Sequence, residues 1–287
     1  MTTIELVKLN NLQLAGKLVS DELMLGIQHS RRTGVGTEFE QFRHYVPGDD
    51  PKRIDYKRLA QTGQYYVRES STESNQHVRL LLDLSGSMNY QEAGVARLQY
   101  AKILLASLAY LANRQSDQIS LYGLQNETVQ PLVMAGRQSF QKIIATLETA
   151  KASGPWNNAD TRFPEFSRKQ SELLILVSDF LQVDAEWLNL IRSIAGPSQS
   201  RPGREIVIFQ LLGDEEVEFN LSGFYRFQDM ETGREMELQA DSIRANVRQG
   251  MTDYLTMLDK ELQLPHVRLF RARLSDPVAL VLREFLL

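Results

Sequence analysis

Four short apolar runs dominate the second part of the chain: Val78–Leu82, Ile119–Leu124, Leu173–Val177 and Ile206–Leu212. The first, third and fourth are almost free of polar residues. That pattern suits strands covered on both faces, as in parallel sheets. Helical patterns separate them. Between the first two, Arg97–Asn113 places Leu98, Ala101, Leu105, Leu108 and Ala112 on one helical face. Phe140–Leu147 and Ala185–Ile194 read as further helices. The alternation predicts an α/β fold: an open, mostly parallel sheet flanked by helices.

The stretch 217–238 breaks the rhythm. Val217–Phe219 and Phe224–Phe227 read as strand pieces, Asp229–Gly233 as a turn and Glu235–Leu238 as a returning strand. A β-hairpin insertion is therefore expected. A helix over Asp241–Leu262, a strand over Val267–Ala272 and a last helix over Asp276–Phe285 follow. Upstream, residues 4–30 have rough helical spacing, but Gly16 and Gly26 weigh against one continuous helix. Arg31–Glu73 is charged and aromatic. Gly34, Gly36, Pro47 and Gly48 predict a turn-rich course there. The expected division is an N-terminal extension over 1–76 and the sheet domain over 77–287.

A net charge of −4 offers no global basic field, so a nucleic-acid partner is not expected. The chain has no cysteine, which excludes disulfides and thiolate metal sites. No apolar run is long enough for a membrane span. The start, Met1–Leu6, lacks a basic segment followed by an apolar block. The expectation is a soluble, cytoplasmic protein.

The first apolar run leads directly into Asp83-Leu84-Ser85-Gly86-Ser87. One carboxylate and two hydroxyls alternate along a short loop, and hard divalent cations prefer such oxygen donors. Asp179 follows the third apolar run in the same way, in Leu176-Val177-Ser178-Asp179. In open α/β sheets, ligands gather at the carboxyl ends of strands, so the two carboxylates can converge on one ion. Thr161, in a loop between them, offers another neutral oxygen. Ser and Asp after a strand also cap helices and close turns, so a local structural role stands beside the metal reading.

This set resembles the metal-ion-dependent adhesion site of von Willebrand factor A domains, Asp-x-Ser-x-Ser followed by a Thr and an Asp. By position, Asp83, Ser85 and Ser87 match the first segment, Thr161 the second and Asp179 the third. Ala159-Asp160 precedes Thr161 where such loops often carry Gly-Gly. The resemblance implies a von Willebrand A-like, Rossmann-like sheet holding Mg²⁺ or Mn²⁺. The ion would bridge to an acidic residue of a partner protein.

The preceding segment contains Gly34-Val35-Gly36-Thr37-Glu38-Phe39, then Arg43-His44-Tyr45, then Gly48-Asp49-Asp50-Pro51-Lys52-Arg53-Ile54-Asp55-Tyr56, and later Val67-Arg68-Glu69. It resembles the signature of the DUF58 family, with Tyr56 in place of the usual Trp. That resemblance implies a link with MoxR-type AAA+ ATPases, as adaptor or co-chaperone. The mixed charges of the segment suit a network of Arg–carboxylate pairs or a docking surface.

The chain lacks Gly-x-x-x-x-Gly-Lys-Ser/Thr, so P-loop nucleotide hydrolysis is not expected. A non-enzymatic interaction module is the leading reading. The alternative is a metal-dependent, phosphatase-like hydrolase using Asp83 as nucleophile. Against it, Ser85 stands where a second acid would be expected, and no basic residue flanks the loop. His44, His77 and His266 read as structural, and Asp229 and Glu231 as turn residues.

Overall fold

The computed structural model describes residues 2–33, 41–45, 54, 56–69, 76–125, 128–154, 171–181, 188–189, 191–192, 195, 204–230 and 233–286. They form two compact units, 1–23 with 76–287, and 24–75. In the first half lie α1 (Thr3–Lys8), α2 (Leu12–Thr33), β1 (Gln41–His44), α3 (Tyr56–Thr62), β2 (Tyr66–Glu69) and β3 (His77–Asp83). The short pair β4 (Gln91–Glu92) and β5 (Val95–Ala96) leads into α4 (Arg97–Arg114). Next come β6 (Gln118–Gln125), β7 (Thr128–Val133), α5 (Ser139–Thr149), β8 (Glu172–Ser178) and β9 (Arg204–Leu212). The chain ends with α6 (Asp214–Glu218), β10 (Phe224–Gln228), β11 (Glu235–Gln239), α7 (Ala240–Glu261), β12 (Val267–Arg273) and α8 (Val278–Leu286).

The central sheet has six strands in the order β12-β9-β8-β3-β6-β7. All neighbours are parallel except β7, which runs antiparallel along β6. Pro131 lies in that edge strand, a place where a missing N–H is tolerated. The four runs predicted as strands lie at the heart of the sheet, and the open, mostly parallel α/β architecture expected from them is the one observed. Leu80 and Leu82 are buried like Leu81, so both faces of β3 are covered. On the Leu81 side, Leu174, Leu176, Ile206 and Ile208 cluster with Leu258 of α7 and Leu262.

Three local expectations change. Residues 214–218 are helical, so Val217 and Glu218 are not a strand; the hairpin is β10–β11 alone. Between its strands Gly233 has φ +69°, and its N–H donates to the Asp229 carbonyl at 2.8 Å. The Arg31–Glu73 stretch contains regular elements. β1 and β2 pair antiparallel from Gln41↔Glu69 to His44↔Tyr66, and α3 lies between them in sequence. In that unit Arg58 stacks over the Tyr66 ring at 5.2 Å. Asp49, Asp50, Arg53 and Asp55 of the expected charge network lie outside the described residues, as does most of the helix expected over 185–194.

Residues 1–23 group with the sheet in one compact unit. Thr2 caps α1 reciprocally with Glu5, and Thr3 Oγ1 donates to the Asp276 carbonyl at 2.8 Å. The chain bends at Asn10, φ 49°, before α2. Gly16 does not interrupt α2. It marks a close crossing, where a Cβ would lie 3.0 Å from the Ala106 carbonyl carbon of α4. Ser20 Oγ secures the crossing by donating to the Gly16 and Ser107 carbonyls at 2.7 and 3.0 Å. Gly16→Val should therefore destabilise the protein by about 1–3 kcal/mol, because overpacking at a backbone contact outweighs the gain in helix propensity. Urea denaturation of parent and variant measures this.

Candidate metal centre

β3 and β8 are parallel neighbours in register from His77↔Glu172 to Leu82↔Val177. Their carboxyl ends therefore finish side by side. Asp83 is the last residue of β3, opposite Ser178, and Asp179 follows β8. The sequence pattern of a polar group after a fully apolar strand thus becomes a shared rim. A single 3₁₀ turn, Gly86–Asn89, then carries the chain away from Ser85. The Gly86 N–H donates to the Gly154 carbonyl at 2.8 Å and anchors that turn.

Asp83 is fully buried, and both its oxygens accept hydrogen bonds. Oδ1 takes the Ser85 N–H at 2.8 Å, and Oδ2 takes the Ser178 hydroxyl at 2.7 Å. Ser85 Oγ and Ser87 Oγ are 3.0 Å apart. Ser85 is buried, and Ser87, half-buried, is the most open member of the set. Asp179 is buried; its Oδ1 accepts from the Leu181 N–H at 3.3 Å, and its main-chain carbonyl accepts from Gln210 Nε2 at 3.1 Å. Burial pushes the Asp83 carboxyl up to about 7, and the negative charge of Asp179 adds to the effect. Two carboxylates and two hydroxyls thus share one rim. Thr161 lies outside the described residues.

Four further side chains shape the site. Ser178 holds Asp83 and, through the same hydroxyl, accepts the Phe180 N–H at 2.9 Å. Gln210 holds Asp179 from β9. Arg97, the first residue of α4, lies 1% exposed. Its Nη1 donates to Asp179 Oδ2 at 2.8 Å and to the Ser87 carbonyl at 2.9 Å, and its Nη2 donates to Glu216 of α6. The residue types at 178 and 210 carry no sequence signal. Arg97 does: a cation at a helix N-terminus opposes the helix dipole, so it needs a local reason.

The donor set fits a hard cation. Among the described residues no group of three or more His, Cys, Asp and Glu is placed to hold a metal, so an ion here would depend on the serine hydroxyls. Both Asp83 oxygens are engaged and none of the carboxyl faces solvent.

The DUF58 family, described as a protein of unknown function, matches residues 41–256. The chain belongs to this family. Among curated relatives of this DUF58 chain are Uncharacterized protein Rv1480 of Mycobacterium tuberculosis and Uncharacterized protein Mb1516 of Mycobacterium bovis. Each is 24% identical over 239 residues, covering 81% of this chain and 73% of the relative. Among solved structures, the conserved hypothetical protein BatB from Bacteroides thetaiotaomicron aligns with TM-score 0.47 and 13% identity, over 73% of this chain and 96% of that one. An aerotolerance-related membrane protein from Bacteroides fragilis aligns with TM-score 0.41 and 12% identity, over 64% and 98% respectively. Among the described residues of the DUF58 chain, no helix is long and apolar enough to cross a membrane.

Proposed function

We propose that this chain is a non-enzymatic interaction module whose rim binds Mg²⁺ or Mn²⁺ and, through the ion, an acidic residue of a protein partner. In this reading the site is the adhesion type of von Willebrand A domains. Asp83, Ser85, Ser87 and Asp179 supply oxygen ligands, and Thr161 is the remaining expected donor. The observation that carries the reading is the convergence of Asp83 and Asp179 at two adjacent strand ends, with the serine pair beside them. The neutral hydroxyls add no negative charge to that of the two carboxylates, so an exchangeable position on the ion can accept a carboxylate from outside. Ser87 is the half-buried member of the set. The DUF58 resemblance extends the proposal to the partner: a MoxR-type AAA+ ATPase, with this chain as a chaperone-like adaptor in the cytoplasm.

Thermal unfolding with and without Mn²⁺ tests the site. An ion that binds only the native state at a hundredfold excess over its Kd stabilises by about 2.7 kcal/mol. Asp83→Ala should abolish that gain and remain folded by circular dichroism. A variant that responds to Mn²⁺ as the parent does would refute the ligand assignment. Affinity capture of the parent with an AAA+ ATPase, lost on chelation and lost in Asp83→Ala, is the expected partner result.

A further inference from the structure

We infer that Arg97 sets the metal affinity of this rim, acting as the resting counter-cation of Asp179 that a divalent ion must displace. The inference rests on the metal reading above and adds to it an internal competitor. A buried guanidinium at a helix N-terminus is costly by itself, because the dipole and the loss of water both disfavour it. Its partners offset that cost. A single nitrogen, Nη1, reaches both the Ser87 carbonyl and the Asp179 carboxylate, at 2.9 and 2.8 Å. The cation therefore lies between the serine loop and Asp179, the two parts that an ion would draw together. A divalent ion on Asp179 would face this positive charge at close range, and like charges in a buried setting repel strongly.

The other half of the guanidinium shows where it goes. Nη2 donates to Glu216 Oε2, and that same oxygen accepts the Gly213 N–H at 2.7 Å. The Tyr90 ring lies 4.7 Å beneath the guanidinium carbon, and Tyr90 Oη donates to Glu92 Oε2 at 3.1 Å. Glu92 also accepts the Glu215 N–H at 3.1 Å. Arg97 thus has one carboxylate on the metal rim and another on α6, outside it. When an ion takes Asp179, Glu216 and the Tyr90 face retain the guanidinium. The device makes metal affinity a balance between two carboxylates competing for one arginine.

Removing the arginine and weakening its outer anchor should therefore move affinity in opposite directions. Mn²⁺ binding is followed by isothermal titration calorimetry on the parent, Arg97→Gln, Glu216→Gln and Asp83→Ala. Arg97→Gln should bind Mn²⁺ at least about tenfold more tightly, as expected when a neighbouring like charge is removed. Glu216→Gln should bind several-fold more weakly, because Arg97 then stays on Asp179. Asp83→Ala should give no binding. A purely structural role for Arg97 would instead weaken binding in both variants. If Arg97→Gln does not fold, Glu216→Gln decides, and unchanged or tighter binding there overturns the inference. Asp83-dependent binding in the parent that Arg97→Gln leaves equal or weaker overturns this inference and leaves the metal reading standing. Absence of Mn²⁺ binding in every protein, Arg97→Gln included, overturns both.

Discussion

Glu172→Ala should lower the stability of the sheet-containing unit by about 3–5 kcal/mol, the usual cost of removing one partner from a buried ion pair. Glu172 is completely buried at the amino end of β8, and its Oε1 accepts from Arg79 Nη2 at 2.8 Å. Arg79 sits on the neighbouring strand β3, with its guanidinium 6.0 Å from the Tyr122 ring centre. His77 Nδ1 lies 3.7 Å from the same Glu172 oxygen, and His77 Nε2 shares a hydrogen bond with Ser120 at 2.9 Å. Burial holds His77 below its ordinary range, with the Arg79 charge acting in the same direction. Glu172 thus supplies a buried negative charge to Arg79. Without it, the arginine keeps its burial and loses that ion pair.

A drop of that size corresponds to a fall in Tm on the order of 10 °C for a unit of this length. The double variant Arg79→Leu, Glu172→Leu should recover most of the loss, because two apolar side chains of similar volume need no desolvation of charge. Calorimetric or fluorescence melts of the single and double variants measure both. If the single variant costs less than about 1 kcal/mol, the pair is not the electrostatic centre of the sheet's amino end. Because this cluster lies at the end opposite Asp83, the double variant should leave Mn²⁺ binding unchanged. That separates loss of fold from loss of the rim.

The strands were legible because burial on both faces leaves little room for polar residues: Leu80-Leu81-Leu82 and Ile206-Val207-Ile208 carry that constraint openly. The Asp83 loop was legible because its donors are contiguous, and Asp179 because it follows the same kind of strand. Ser178 and Gln210 were not, because their contacts are made across strands and depend on register. Val217–Phe219 misled because two apolar residues around a polar one mimic a strand. The competing signal was Asp214-Glu215-Glu216, three acids where the positive end of a helix dipole would be. Gly16 misled in another way. A glycine that interrupts propensity in one dimension was required in three, by the backbone of α4. Arg97 was visible as a helix start, but its function depends on Asp179 and Glu216, which lie far away in sequence.

Metal affinity should rise about tenfold for each pH unit up to about pH 7 and then level off, since one proton leaves Asp83 for each ion bound. The cause is the metal-free carboxyl, raised to about 7 from an ordinary 3.8 first by burial and then by Asp179. The same shift gives metal-free stability the opposite slope. Between those two values the native state holds a proton that the unfolded chain has released. The contribution of Asp83 to stability therefore falls as pH rises through that window, and the loss is complete above the folded value. Metal binding reverses the trend, because the ion stabilises the carboxylate that burial penalises. Thermal melts from about pH 5 to about pH 8 should show the Mn²⁺-induced gain growing with pH in the parent. In Asp83→Asn, which keeps the shape and cannot ionise, both slopes should disappear. A Mn²⁺ gain of equal size across the range would mean that no proton is displaced, and that the ion binds somewhere other than Asp83.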